Sequence, residues 1–157
     1  MRKIDATDRE LLKRLQEDAQ TPVAQLAASV NLSPTPCWRR IQRLRDEGLI
    51  TRQVALLDRA KVNLGVTVFV SVRTSRHSEA WFEKFHAAVR SVPEVVEFYR
   101  MSGDVDYLLK VVVPDIAAYD AVYKRLIRSA ELFDVSSSFA MEELKFTTAL
   151  PLDYAAP

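Results

Sequence analysis

The hydrophobic residues of this chain change their spacing once. Through about residue 60 they recur at helical intervals; beyond it, runs of alternation are interleaved with helical ones. In "IDATDRELLKRLQEDAQ", Ile4, Leu11, Leu12 and Leu15 fall on one stripe, with Asp5 or Thr7 placed to cap it. "TPVAQLAASV" supplies a second apolar face of Val23, Leu26, Ala27 and Val30. Thr21 stands as its cap and Pro22 as its first helical residue, where a missing N–H costs nothing. After the tight turn "NLS", the same cap-and-proline device returns at Ser33 and Pro34. Cys37, Ile41 and Leu44 follow at i, i+4 and i+7, and Gly48 ends the segment. Three short helices with a tight turn before the third predict a helix-turn-helix. "LITRQVALLD" reads as a short strand pair that would form a wing, and residues 61–65 read as a connector.

"GVTVFVSVRT" then alternates, with Val66, Val68, Val70 and Val72 on one face of a strand. "SEAWFEKFHAAVRSV" is helical, striped by Trp81, Phe82, Phe85, Ala88 and Val89 and stopped by Pro93. "EVVEFYRMSG" and "DYLLKVVVP" are two strands joined at Gly103-Asp104. "DIAAYDAVYKRLIR" is a helix capped by Asp115, with Ile116, Tyr119, Val122, Tyr123 and Leu126 inward, and "DVSSSFAMEELKFTTAL" is one long final strand. The order βαββαβ is that of ferredoxin-like sandwiches. The predicted class is α+β: a winged helix-turn-helix over residues 1–60 joined to a ferredoxin-like βαββαβ sandwich over 61–157. Phe69 opposes the valine row, and Leu108 and Val112 oppose Leu109, Val111 and Val113, so both sheet faces are apolar. With both helices on one face, the other predicts a homodimer interface.

Composition narrows the function. Net charge is only +1, but residues 1–60 carry 11 Lys and Arg against 8 Asp and Glu, while residues 61–157 carry 11 against 13. A basic front joined to a mildly acidic back suggests two tasks. No apolar run is long enough to span a bilayer and no secretion signal stands at the start, so no membrane partner is expected. The single cysteine, Cys37, cannot close an internal disulfide and lies on an inward stripe. It reads as a core residue in a cytoplasmic, nucleoid-associated protein. No catalytic constellation is present. His77 and His86 in "HSEAWFEKFH" lack zinc-helix spacing, no Gly-rich phosphate loop or G-x-S-x-G occurs, and Asp104 and Asp106 sit on an exposed turn. Neither an enzyme nor a metal protein is expected, and no cofactor.

The chemistry concentrates in "NLSPTPCWRRIQRLRDEGLI". With Cys37, Ile41 and Leu44 inward, Arg39, Arg40 and Arg43 are expected on the outer side, with Arg45 at its edge. Ser33 and Thr35 add hydroxyls beside helix N–H groups, a phosphate anchor, while Pro34 and Pro36 fix the entry angle. Arginines further along reach guanine edges in a major groove, or more phosphate. Arg52, in the wing, would touch backbone beside it. Trp38 either stacks on a sugar or base edge or packs on a neighbouring helix. The bland alternative is that the arginines are simply a solvated face. The predicted partner is double-stranded DNA, through Ser33, Thr35, Pro36, Trp38, Arg39, Arg40, Arg43 and Arg52.

That stretch, with "SGDVDYLLKVVVPDIAAYDAVYKRL" and "SSSFAMEELKFTTALPL", closely resembles the Lrp/AsnC (leucine-responsive, feast/famine) family of bacterial transcription regulators, over about residues 3–152 and in the family's order of segments. The resemblance implies an N-terminal DNA-binding domain and dimers formed through the C-terminal sheets. It also implies octamers that wrap DNA, and a small amino-acid effector bound between dimers near Gly103-Asp104-Val105-Asp106. "CWRR" and "TTALPL" look like a branch tied to amino-acid catabolism, including sulphur and kynurenine-type substrates. The turn's chemistry agrees: Gly103 exposes backbone N–H groups to a carboxylate, and Asp104 or Asp106 pairs with an ammonium. Alternatively, Gly-Asp is only a hairpin turn with a solvated carboxylate. Selectivity is expected from Tyr99, Met101 and Ser136 or Ser138 at strand ends. Two other functions compete with an effector-responsive regulator: an architectural DNA-wrapping protein with little ligand response, and an amino-acid sensor acting on a partner enzyme.

Overall fold

The computed structural model describes residues 4–75, 78–129 and 134–155; His77 lies outside them. The chain separates into two compact units, residues 1–55 with 145–157, and residues 56–144.

In the first unit, α1 (Ala6–Glu17) opens on a reciprocal cap. Asp5 Oδ1 accepts from the Asp8 N–H at 2.7 Å, and Asp8 Oδ2 accepts from the Asp5 N–H at 3.3 Å. The second helix, α2 (Val23–Ser29), starts one residue later than the sequence predicts. Pro22 is extended and acts as the N-cap through its carbonyl, while the Thr21 hydroxyl donates back to the Asp18 carbonyl. The third helix, α3 (Pro34–Asp46), has Ser33 at its N-cap and Pro34 at N1. Leu11, Leu26, Ala27, Cys37 and Ile41 form the centre of the unit, and burial pushes the Cys37 thiol upward.

No wing forms. Residues 51–58 form no regular secondary structure and have no strand partner among the described residues, leaving Val54, Leu56 and Leu57 exposed. β-propensity alone does not make a strand: the hydrogen bonds need a neighbour, and this unit offers none. The chain's last segment takes a different place from the one the sequence suggests. It packs on the first unit, not the second. Leu152 and Ala155 lie against Ile4, Leu12 and Leu44. The Gln16 side-chain amide both donates to the Leu150 carbonyl at 3.3 Å and accepts from the Leu150 N–H at 2.7 Å. Arg9 donates to the Ala155 carbonyl at 2.9 Å.

The second unit is a four-stranded antiparallel sheet of order β2-β3-β1-β4, built from β1 (Val66–Arg73), β2 (Val95–Arg100), β3 (Tyr107–Val113) and β4 (Asp134–Phe139). Helix α4 (Glu79–Arg90) connects β1 to β2, and α5 (Ile116–Ser129) connects β3 to β4. Val68, Val70, Val72, Leu109, Val111 and Val113 face Trp81, Phe85 and Val89 of α4 and Tyr119, Val122 and Leu126 of α5. Each such buried side chain contributes about 1.5–3 kcal/mol. Asp115 caps α5 by accepting from the Ala118 N–H at 2.7 Å, but Ile116 is exposed, since the inward stripe begins at Tyr119. The final strand is shorter than predicted. Pairing ends at Val68↔Phe139 and one bond from the Ala140 N–H to the Thr67 carbonyl, one residue from the start of β1.

Candidate nucleic-acid interface and effector cleft

Helix α3 turns its apolar seam, Cys37, Ile41 and Leu44, into the unit. At 100° per residue, Arg40 lies on the flank of that seam and Arg43 further round on the same side. There they meet α1. Arg40 Nη1 donates to Asp5 Oδ2 at 2.6 Å and to Asp8 Oδ1 at 2.9 Å, and Arg43 Nη2 donates to Asp8 Oδ2 at 2.5 Å. Asp8 is 1% exposed. A carboxylate that deep needs cations, and the two guanidinia answer it. Arg40 and Arg43 therefore clamp α3 to α1 instead of standing on the outer face, contrary to the sequence expectation. Burial raises the Asp5 carboxyl, but the hydrogen bonds from Arg40 and the Asp8 N–H outweigh it and hold it below its ordinary 3.8. The hydrogen bonds that Arg40 donates to the Asp5 and Asp8 carboxylates raise its own guanidinium.

A depressed carboxyl stabilises the fold fully above its unfolded value and loses that contribution as pH falls through the lower, folded one. The clamp is thus expected intact at pH 5 and weakened below roughly pH 4. Asp5→Asn should flatten that part of the acid slope, checked by urea unfolding at pH 3, 4 and 5. An unchanged slope would remove Asp5 from the account.

Away from α1, on the other side of the helix, stand Thr35, Trp38, Arg39 and Gln42, spaced i, i+3, i+4 and i+7 on one face. Thr35 and Arg39 are exposed, and Trp38 is 51% exposed, which leaves about half of its surface open to a partner. Arg45 is exposed at the edge and donates to Gln53 at 3.2 Å. Arg52 is exposed on the unpaired segment. The N-terminal phosphate anchor is weaker than expected. Pro34 and Pro36 have no N–H, and the Cys37 N–H is taken by the Ser33 carbonyl, which leaves the Thr35 N–H and the two exposed hydroxyls of Ser33 and Thr35.

In the second unit, the turn after β2 and the end of β1 enclose a cleft of about 370 Å³ lined by Arg73, Thr74, Ser75, Gly103, Asp104 and Asp106. Gly103 has φ +105 with open space where a Cβ would stand, so its requirement is conformational. Asp106 Oδ2 accepts from the Thr74 N–H at 2.8 Å, and the Asp106 carbonyl accepts from the Met101 N–H at 2.8 Å. That carboxylate holds the turn together, which leaves Asp104 as the acidic side chain available to a ligand. The other residues expected at this site are not in the cleft lining. Cross-strand register places Tyr99, Leu108, Ser71 and Ser136 in one row of the helix-free face, with Ser138 beside Phe69 in the next. Tyr99 donates to Glu97 at 2.9 Å, a bond that raises the phenol, and Lys110, donating at 2.9 Å, is the main reason Glu97 lies low. Met101 is exposed beside the turn.

The family model described as the AsnC-type helix-turn-helix domain matches residues 4–45, and that of the Lrp/AsnC ligand binding domain matches residues 67–150. The chain belongs to the Lrp/AsnC family. It is 48% identical to the DNA-binding transcriptional activator DecR of Escherichia coli, over 96% of this chain and 99% of DecR. A crystal structure of an AsnC family regulator from Agrobacterium tumefaciens superposes with TM-score 0.92 at 64% identity, covering 96% of this chain and 98% of that one. A Neisseria meningitidis transcriptional regulator solved with L-methionine follows at TM-score 0.90 and 38% identity, covering 95% and 97%. This Lrp/AsnC chain is a DNA-binding transcription regulator with a ligand-binding domain, not an enzyme. Sequence reasoning missed Gln42 on the outer face and Arg73, Thr74 and Ser75 in the cleft. Counting in threes and fours from Thr35 would have found the first. The others needed the strand register.

Proposed function

We propose that α3 lies in the major groove with Thr35, Trp38, Arg39 and Gln42 toward the bases, the Ser33 and Thr35 hydroxyls and Arg52 toward phosphates, and Pro36 fixing the approach. The observation that carries this is the outward stripe itself: Arg39 and Gln42 have no hydrogen bond or ion pair among the described residues, on a helix whose other two outer-flank arginines are already neutralised.

The working form is a homodimer through the helix-free sheet face, supported by the exposure of Phe69 and Tyr99 there, with octamers as the resemblance implies. The effector is an amino acid in the cleft at Gly103. Its carboxylate meets Arg73 and backbone N–H groups, and its ammonium meets Asp104. The methionine bound by the Neisseria relative supports an amino acid here. The controlled genes are those of amino-acid metabolism.

The test is a mobility-shift assay on the chain's own upstream region with a panel of amino acids. A specific shift whose affinity changes with one of them is expected. At 100 times its dissociation constant, that effector should add about 2.7 kcal/mol of stability. A specific shift with a flat panel would favour an architectural role, and no preference over random DNA would end the groove assignment.

A further inference from the structure

Once Arg40 and Arg43 are assigned to the clamp, the outer face of α3 keeps two side chains that can read a base edge, Arg39 for guanine and Gln42 for adenine. Thr35 is short and exposed at the helix start, and a hydroxyl donates or accepts without preference. Arg39 carries a charge that a phosphate satisfies as well as a base edge does. Gln42 differs from both. Its amide presents one acceptor and one donor side by side, and it is partly exposed with no partner among the described residues. In the major groove, adenine shows the matching pair, an N7 acceptor and an N6 donor. Trp38, one turn back on the same stripe and half exposed, supplies an apolar wall beside that amide. Such a wall keeps water from competing for the two bonds and suits contact with a thymine methyl.

We infer that Gln42 is a specificity-determining residue of α3, holding an adenine of each half-site by a two-point bond while Trp38 packs on the neighbouring thymine methyl. The inference rests on the placement of α3 in the major groove. The clamp gives Gln42 its precision. Asp8 fixes Arg40 and Arg43 at i−2 and i+1 from it, so the helix cannot roll about its axis and carry the amide away from the base.

The test uses the full chain. Each base pair of the region protected by the wild type is replaced in turn, and affinities are measured for wild type, Gln42→Ala and Gln42→Glu. Gln42→Ala should lose about ten-fold of discrimination at one A·T pair per half-site and keep the salt slope, because the amide neutralises no phosphate. Gln42→Glu, an acceptor only, should move the preference at that pair to cytosine, whose N4 donates. Such a shift cannot arise from mere misfolding. If Gln42→Ala keeps every base preference of the wild type, the inference is overturned while the groove placement stands. If the wild type itself shows no base preference, the groove placement falls and the inference with it.

Discussion

Phe85→Ala should lower the stability of the sheet unit by about 3–5 kcal/mol. Phe85 is fully buried in the middle of α4, with ring centroids 5.1 Å from Trp81, 5.3 Å from Tyr107 and edge-on to Phe98 at 5.7 Å. Truncation removes the apolar transfer term and three aromatic contacts, and it leaves a hole that neighbours on two strands and a helix cannot collapse into. For a unit of this size each kcal/mol moves the melting midpoint by roughly 4–8 °C, so the shift is large enough to read by circular dichroism. A midpoint within a degree or two of wild type would mean that the core is centred elsewhere.

Asp8→Ala is expected to cost about 2–3 kcal/mol in the helix-turn-helix unit, and with it most of the DNA affinity. Breaking a buried ion pair from one side typically costs more, about 3–5 kcal/mol, because the remaining charge is stranded. Here the stranded partners are guanidinia whose side chains are 31% and 28% exposed, so they recover part of their hydration and the estimate is lowered accordingly. The variant also loses half of the reciprocal cap at the start of α1. Fluorescence anisotropy on an operator fragment, read beside urea unfolding, checks both consequences. Wild-type affinity in a destabilised variant would show that α3 is held in place without the clamp.

The clamp also marks where the sequence stopped being legible. A hydrophobic period tells which way a helix faces its core, and Cys37, Ile41 and Leu44 located that seam correctly. It does not tell which polar residues flank a second helix, because that depends on where Asp5 and Asp8 arrive from elsewhere in the chain. Arg40 and Arg43 were therefore indistinguishable from Arg39 until α1 was in place. The βαββαβ order was readable because alternation and helical spacing differ sharply across residues 66–139. The irregular segments at 51–58 and 141–150 look like strands in composition, yet strand formation depends on a partner that composition does not supply. In the cleft, Gly103 and Asp104 stood out as turn residues. Arg73, Thr74 and Ser75 are 28 or more positions earlier and meet them only through the pairing of Val72 with Tyr107.

The returning C-terminal segment has a practical corollary. A DNA-reading fragment cut from residues 1–60 would lack Leu152, Ala155 and the backbone that satisfies Gln16, and it would leave Ile4, Leu12 and Leu44 facing water. A minimal version of that half is better built as a splice that keeps residues 145–155 with residues 4–55.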